Sequence, residues 1–151
     1  TRLMNARGRQ TSSNCRPFRE KRPDVIFGIG TDIFLMSRIA KQAISDRDPF
    51  IMRSYTEKER KESKNHNSLE IYYATRFSAK EAVYKSISKI GLEFRPGEIE
   101  ILCDLDGCPR VFLYGKTEQA LSQKTNKKYA VFISISYDTE YCSTFAVAEM
   151  F

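Results

Sequence analysis

The spacing of apolar residues changes at Gly91 from that of a helix to that of strands, and this change constrains the fold more strongly than any other feature of the sequence. From Ser68 to Ile90, apolar residues recur with the spacing of an amphipathic helix, which Ser68 can cap and Gly91 can end. Beyond Gly91, apolar and polar residues alternate, as in strands with one buried face. Helices in the first half and antiparallel strands in the second predict an α+β fold: a single domain in which an antiparallel sheet packs against a long central helix.

The segment before the long helix predicts one strand and two shorter helices. Residues 24–34 form an apolar run with a Gly-x-Gly interruption, which indicates a strand that another part of the chain approaches closely. A helix is predicted over 38–45, ending before the Asp-Pro pair at 48–49. A capping-box pattern predicts a second helix over 57–63. The later elements are predicted as strands at 98–102, 109–115, 128–136 and 143–151, with a helix at 116–124 and turns at 104–107 and 137–142.

The formal net charge of +6 lies in the first 23 residues, which hold seven basic side chains and one acidic one. Residues 24–151 hold 18 of each, so the body has no basic excess and no nucleic-acid partner is predicted. Residues 1–23 lack apolar periodicity and are predicted to be a disordered tail, followed by one domain over 24–151. Their Arg, Ser and Thr content fits either the remnant of an organelle transit sequence or a solvated leader.

The cysteine pattern argues against a zinc site. Cys15, Cys103, Cys108 and Cys142 include no C-x-x-C pair, and the single histidine, His66, lies in a polar run. Free thiols in a reducing compartment are predicted, and a disulfide between Cys103 and Cys108 across the predicted hairpin stays open. No apolar run approaches the roughly 20 residues that a membrane-spanning helix needs, so no membrane partner is predicted.

Two carboxylates stand beside cations in a pattern that suits phosphate chemistry. Asp32 follows the Gly-x-Gly segment near the end of the first predicted strand, and Glu81 lies on the long helix between Lys80 and Lys85. Carboxylate oxygens without nearby His or Cys suit Mg²⁺, which binds one or two carboxylates and completes its shell with water and substrate phosphates. Lysines beside such a pair suit the phosphates. The residues alone therefore predict a Mg²⁺-dependent phosphate-ester site.

Two cations interrupt the apolar side of the long helix. On a helical wheel, Arg76 and Lys80 fall among its apolar residues. One explanation is that their aliphatic stems pack while their charged ends reach water. The other is that a polyanionic ligand occupies a cleft beside them.

Three segments, taken in order, resemble the small, single-domain holo-acyl-carrier-protein synthases. "FGIGTDIFLMSRI" resembles the opening signature of these phosphopantetheinyl transferases, "RFSAKEAVYKSI" is similar to their central helix, and "ISISYDTEYCSTFAVAE" is similar to their closing strands. The resemblance covers most of residues 25–150. It implies the 4'-phosphopantetheinyl transferase-like fold and a Mg²⁺-dependent transfer of the phosphopantetheine arm of coenzyme A to a serine of an apo acyl carrier protein, releasing adenosine 3',5'-bisphosphate.

The resemblance also implies roles for individual residues. Asp32 and Glu81 would hold Mg²⁺, and Glu81 and Lys85 would be the catalytic residues, with Glu81 helping to deprotonate the serine directly or through a water. Coenzyme A and its phosphates would meet Arg76, Lys80, Lys85 and Tyr137. Arg38 would contact the acidic helix of the carrier protein. Small members of the family are commonly homotrimers with active sites between subunits.

One position departs from the family pattern. A histidine usually follows "SIS" near the coenzyme phosphates, and here the residue is Tyr137. A phenol can donate a hydrogen bond but supplies no positive charge. The resemblance therefore implies an enzyme with a weakened contact at this position, and the alternative is a non-catalytic module that binds the carrier protein or coenzyme A.

The compartment is predicted from the tail and the family together. Small synthases of this type usually serve dissociated fatty-acid synthesis, and residues 1–23 resemble a transit remnant. A plastid-type organelle, such as an apicoplast, is predicted first, with a mitochondrial or cytoplasmic location as the alternative.

Overall fold

The computed structural model describes residues 25–45 and 47–151, and the predicted tail at 1–23 lies outside them. Within the described residues, five strands and four α-helices alternate with short 3₁₀ turns. In chain order they are β1 (Val25–Leu35), α1 (Pro49–Ser54), α2 (Glu57–Ser63), α3 (Leu69–Ser86), β2 (Ile99–Cys103), β3 (Pro109–Leu113), α4 (Gly115–Thr125), β4 (Tyr129–Tyr137) and β5 (Tyr141–Met150).

The described strands form two antiparallel sheets. The larger sheet has the order β1-β5-β4, and the smaller one is the β2-β3 hairpin. Helix α3 packs against β1 and β5 of the larger sheet and also contacts β2 and β4. The predicted α+β arrangement, with an antiparallel sheet against a long central helix, is confirmed.

The Gly-x-Gly sequence lets α3 lie directly on β1. A Cβ atom at Gly28 would stand 2.0 Å from the backbone oxygen of Ser86, and one at Gly30 would stand 1.9 Å from that of Ala82. Both distances are far below van der Waals contact, so only glycine fits. The predicted close approach is therefore made by the backbone of α3, and it brings the helix beside the next inward-facing residue of β1, Asp32.

Helix α3 joins two parts of the apolar core. Its C-terminal half packs between the two sheets, and its N-terminal half packs against α1 and the segment that follows β1. Because α3 is covered on several sides, its buried residues include polar and charged ones as well as apolar ones. The largest apolar side chains of the two parts include Ile87, Ile99, Ile101 and Leu121 in the first and Ile39, Ile51, Tyr55, Tyr72 and Tyr73 in the second.

The helix predicted over 38–45 is wrong. This segment forms two 3₁₀ turns, Met36–Ile39 and Gln42–Ile44. The Asp-Pro pair opens α1 instead of only ending a helix. The Asp48 carboxylate accepts hydrogen bonds from the backbone N–H groups of Phe50 and Ile51, and Pro49 takes the first helical position, where its missing N–H costs nothing.

The other predicted elements are present, with boundaries shifted by a few residues. The α-helical part of α3 ends at Ser86, and a 3₁₀ turn continues it to Gly91, whose φ of 76° is left-handed as the predicted helix end requires. Cys103, Cys108 and Cys142 are free thiols, so the Cys103–Cys108 disulfide is not formed. Among the described helices, none is long and apolar enough to cross a membrane.

Candidate active site

Asp32 points from β1 toward α3 and is buried. Its Oδ1 accepts a hydrogen bond from Lys85 Nζ at 2.9 Å, and Lys85 also donates to the backbone oxygen of Thr31 at 3.0 Å. Its Oδ2 is buried and has no hydrogen-bond partner among the described residues. A buried carboxylate oxygen without a donor is costly unless a cation or a water meets it.

Glu81 lies beside Asp32 on the facing turn of α3. Its pKa is raised, first by partial burial and then by the negative charge of Asp32, while the positive charges of Lys85 and Arg38 oppose the increase. Two carboxylates that repel each other in a half-buried site are stabilised by a divalent cation between them. The structure therefore brings together the two residues that were predicted to hold Mg²⁺.

The donor set of this pair fits a hard cation that shares its shell with a substrate. No group of three or more His, Cys, Asp or Glu side chains suited to a metal is found among the described residues. Mg²⁺ commonly uses one or two carboxylates and takes its remaining ligands from water and phosphate oxygens. Asp32 and Glu81 supply two carboxylates, and the unpartnered Oδ2 of Asp32 is able to act as a ligand to the ion.

Lys85 is the cation best placed to meet an anion at this pair. About half of its side-chain surface is exposed, and its ammonium group has three N–H bonds. Protein acceptors in the described part of the chain, Asp32 and Thr31, take two of them. The third N–H can reach a phosphate beside the two carboxylates.

Lys80 does not contact the Asp32–Glu81 pair in this structure, and its predicted role in phosphate binding stays a prediction. Its side chain is 0% exposed. Nζ donates to Glu59 Oε2 at 2.8 Å, to the backbone oxygen of Pro96 at 2.9 Å and to the backbone oxygen of Ile99. All three N–H bonds are thus used inside the protein. Burial lowers the pKa of Lys80 and raises that of Glu59, because the charged form of each is disfavoured away from water.

Arg76 faces a second cluster, formed with α2 and β2. Its guanidinium lies 4.2 Å from the centre of the Tyr72 ring, and Nη2 is 3.4 Å from Glu62 Oε2 and 3.3 Å from Cys103 Sγ. The residue is 7% exposed, and its Nε has no partner among the described residues. The contacts of Arg76 in the described chain are thus with this cluster and not with the Asp32–Glu81 pair.

The two cations on the apolar side of α3 therefore have protein partners that sequence reasoning missed. Glu59 and Glu62 lie one turn apart on α2, and they pair with Lys80 and Arg76, which lie one turn apart on α3. Glu59 was interpreted only as a capping-box residue. The three-residue and four-residue spacings place the carboxylates on one face of α2 and the cations on one face of α3, but no local pattern shows that these two faces meet.

Arg38 and Tyr137 lie near the same end of the larger sheet as Asp32. Arg38 is exposed in the turn after β1, with its guanidinium 5.4 Å from the centre of the Phe34 ring. Tyr137 is 59% exposed at the end of β4. Phe34 of β1 and Tyr137 of β4 both pair with Cys142 of β5. On β1 this row lies two residues beyond the row that contains Asp32.

Comparison with known proteins identifies the family. Residues 28–145 match the profile of the ACPS family, described as the 4'-phosphopantetheinyl transferase superfamily. The holo-[acyl-carrier-protein] synthase of Wolbachia pipientis subsp. Culex pipiens is 35% identical over 130 residues, which cover 82% of this chain and 97% of that protein.

Solved structures of this family have the same fold. A holo-ACP synthase from Plasmodium yoelii has a TM-score of 0.69 and 33% identity, and the match covers 84% of this chain and 97% of that one. A synthase from Bacillus anthracis, solved in complex with CoA (3',5'-ADP), has a TM-score of 0.64 and 30% identity over 83% of this chain and 98% of that one. The predicted family and fold are confirmed: this chain belongs to the 4'-phosphopantetheinyl transferase superfamily and is an enzyme of the holo-[acyl-carrier-protein] synthase type.

Proposed function

We propose that this chain uses Mg²⁺ to transfer the 4'-phosphopantetheine arm of coenzyme A to a serine hydroxyl of an apo acyl carrier protein, with release of adenosine 3',5'-bisphosphate. One observation carries the metal-dependent part of the proposal. Asp32 and Glu81 form a carboxylate pair with an unpartnered buried oxygen and with Lys85 on one side. A phosphate group beside this pair would contact both the proposed cation site and the ammonium of Lys85.

The residues of the pair and its neighbour have distinct roles in this proposal. Asp32 and Glu81 hold the ion, which when bound neutralises charge on the pyrophosphate of coenzyme A. Lys85 orients a phosphate oxygen with its free N–H while Asp32 fixes its ammonium. Glu81 accepts the proton of the attacking serine, directly or through a water. Transfers at phosphorus depend mainly on positioning and charge neutralisation, which these three side chains supply.

Coenzyme A is proposed to extend from this pair toward Arg76 on one side and Tyr137 on the other. The coenzyme complex of the Bacillus anthracis relative supports coenzyme binding by this family. Arg76 keeps one N–H without a partner among the described residues, which leaves it able to meet an additional acceptor. Tyr137 replaces the charged contact of a histidine with a neutral hydrogen bond.

The carrier protein is proposed to dock beside Arg38. This residue is exposed, and its positive charge acts on Glu81. A carrier protein that contacts Arg38 with an acidic helix therefore brings its serine close to the carboxylate that is to accept the proton.

A homotrimer is proposed from the uncovered face of the larger sheet. One face of this sheet packs on α3, and the other exposes large apolar side chains on all three strands. A soluble chain rarely leaves such a surface in water unless a partner covers it. The exposed side chains are Ile29, Ile33, Phe132 and Phe145.

A plastid-type organelle is proposed as the location, with the mitochondrion and the cytoplasm as alternatives. The basic, Ser- and Thr-containing segment at 1–23 supports it. The test is microscopy of the chain fused at its C-terminus to a fluorescent protein in a plastid-bearing cell. A plastid signal that is lost when residues 1–23 are removed supports the proposal, and a plastid-free signal in both forms contradicts it.

Intact-mass spectrometry of an apo acyl carrier protein, incubated with this chain, coenzyme A and Mg²⁺, tests the function. We expect the carrier protein to gain one phosphopantetheine arm. EDTA and the Glu81→Gln variant should each suppress the gain, by about 100-fold or more in rate, because each removes part of the charge neutralisation. Glu93→Gln is the matched control, since Glu93 is an exposed carboxylate that pairs with Arg95.

The outcomes separate the enzyme from the non-catalytic alternative. No mass gain with any of several carrier proteins, while coenzyme A still binds by calorimetry, would favour the binding module. A gain that persists in EDTA after the protein has been stripped of metal would contradict the role of Mg²⁺.

A further inference from the structure

Cys103 is the last residue of β2 and is exposed, yet its sulfur meets a buried cation. Nη2 of Arg76 donates to Cys103 Sγ at 3.3 Å. The backbone N–H of Cys103 donates to Glu62 Oε1 at 2.9 Å, which holds this end of β2 against α2. A solvent-accessible thiol is thereby placed in direct contact with Arg76.

The guanidinium that contacts this sulfur is incompletely paired. Arg76 is 7% exposed, and its Nε is buried without a partner among the described residues. Its Nη2 is shared between Glu62 Oε2 and Cys103 Sγ at long distances of 3.4 and 3.3 Å. The sulfur is therefore one of the hydrogen-bond acceptors of Arg76, together with Glu62 Oε2 and Thr75 Oγ1. A change at the sulfur acts on Arg76 directly.

Access distinguishes Cys103 from the buried thiol of the chain. The thiolate is the form of cysteine that attacks a disulfide, and Cys103 is exposed to solvent. Cys142 is a contrasting case. It is buried, its Sγ donates to the backbone oxygen of Ala74, and burial raises its pKa to about 11. Cys142 is thus protected from disulfides, whereas Cys103 is exposed and lies against Arg76.

Cys108 is a natural control on the same hairpin. It is exposed like Cys103, but no contact with a cation is found for it among the described residues. Cys103 pairs with Pro109, so the preceding residue, Cys108, is directed to the other side of the hairpin. This geometry does not favour a Cys103–Cys108 bond, and each thiol is left to react with molecules in solution.

We propose that Cys103 is a site of reversible modification by low-molecular-weight disulfides, and that the modification weakens coenzyme A binding by displacing Arg76. The Cys103 thiolate attacks one sulfur of the small disulfide. The S–S bond of the small disulfide breaks, and a new S–S bond forms between Cys103 Sγ and the attacked sulfur. The other half of the small disulfide leaves as a thiolate that takes up a proton. A small thiol in excess reverses the step by the same exchange.

The consequence for binding rests on the proposed function, in which Arg76 lines the coenzyme site. The modification converts the sulfur that accepts the N–H of Arg76 into one half of a disulfide. The added group also occupies space between Arg76 and the end of β2. Loss of one charge-assisted contact to the coenzyme is expected to raise the KM for coenzyme A by roughly tenfold and to change kcat less.

The test treats the full chain with oxidised glutathione and maps the modified residues by peptide mass spectrometry. Transfer kinetics with varied coenzyme A are measured before treatment, after it, and after reduction. We expect one glutathionyl group on Cys103 and a raised KM that reduction restores. Cys108→Ser should respond like the unaltered chain, and Cys103→Ser should keep the same KM before and after treatment.

Two results would overturn the proposal. One is modification of Cys108 or Cys15 while Cys103 stays free, and the other is a glutathionyl group on Cys103 with an unchanged KM. The mapping does not depend on activity. If the untreated chain transfers no phosphopantetheine, which would be a failure of the proposed function, calorimetric binding of coenzyme A replaces KM as the readout.

Discussion

Lys80 and Lys85 show how one helix places two lysines in opposite environments. The two residues lie five positions apart on α3 and therefore point in different directions. Lys80 is directed between α2 and β2 and donates all its N–H bonds to protein acceptors. Lys85 lies at the surface of β1, beside Asp32, and keeps one N–H for a ligand. Burial, more than residue type, separates the structural lysine from the proposed catalytic one.

Replacing Lys80 with Met should destabilise the protein without acting on phosphate binding. The change leaves Glu59 as a buried charge without its cation and removes a donor from two backbone oxygens. We expect a loss of about 3–5 kcal/mol in the free energy of unfolding, measured in urea. The KM for coenzyme A of the folded fraction should stay within about twofold. Lys124→Met, at an exposed lysine of α4, is the stability control.

An unchanged unfolding free energy in Lys80→Met, together with a large rise in KM, would show that Lys80 contacts coenzyme phosphates after all. That result would require the buried pair to open when coenzyme A binds.

Tyr137→His should strengthen coenzyme binding at acidic pH. An imidazole with the ordinary pKa of about 6.5 is protonated below that value and then adds a positive charge near the phosphates. The KM for coenzyme A of Tyr137→His should therefore fall relative to that of the unaltered chain as pH decreases from about 8 to 6. Tyr137→Phe, which removes only the hydroxyl, should show no such trend. Parallel pH profiles for all three forms would contradict a phosphate contact at this position.

At the scale of the elements, the contact between α3 and β1 builds the proposed active site. Gly28 and Gly30 allow the helix backbone to lie on the strand, and this contact brings Glu81 of α3 beside Asp32 of β1. Asp32 and Glu81 themselves are almost 50 residues apart in the chain. The distance between α3 and β1 therefore determines the geometry of the proposed metal site.

Gly30→Ala should move α3 away from β1. Its Cβ would stand 1.9 Å from the backbone oxygen of Ala82, and a backbone atom cannot yield as a flexible side chain can. We expect a loss of about 1–3 kcal/mol in the free energy of unfolding and a larger proportional loss of transfer activity in the folded fraction. Thr31→Ala, at the exposed neighbouring position, should change both quantities little. Wild-type activity in Gly30→Ala would show that the site tolerates a displaced helix.

On the scale of the whole molecule, the larger sheet has one covered face and one uncovered face. Helix α3 covers the first, while apolar side chains on the second remain exposed in a single subunit. The proposed homotrimer would cover them.

Ile33→Glu should break the proposed trimer. Ile33 is 71% exposed on the uncovered face, and a carboxylate there would have to be buried in the interface. Light scattering after size exclusion should give the mass of a trimer for the unaltered chain and that of a monomer for the variant. Ile44→Glu is the matched control, because Ile44 is 81% exposed in the segment between β1 and α1, away from the sheet face. A monomer in the unaltered chain would contradict the proposal.

Local chemistry in the sequence determined most of the fold and the family. The capping box at Thr56 and Glu59, the period of α3, the left-handed end at Gly91 and the alternation of the later strands depend on residues within a few positions of each other. These patterns and the three motifs were therefore sufficient for the α+β class and the transferase family, both of which are confirmed. The helix predicted over 38–45 was wrong. The Asp-Pro pair was interpreted as the end of a helix, whereas Asp48 and Pro49 favour the start of one and therefore determine the structure of the residues that follow them.

Only the tertiary structure decided which charged residues are buried against each other. Lys80 and Glu59 are 21 residues apart, and Arg76 and Cys103 are 27 apart, so no local pattern shows that they meet. The cost of burying a charge makes such partners obligatory, but it does not indicate which distant residue provides them. The roles of Asp32, Glu81, Lys85, Lys80, Arg76, Tyr137 and Arg38, the ion and the trimer stay predictions. The sequence could name the cations of α3, whereas their partners depended on how α2, α3 and β2 pack.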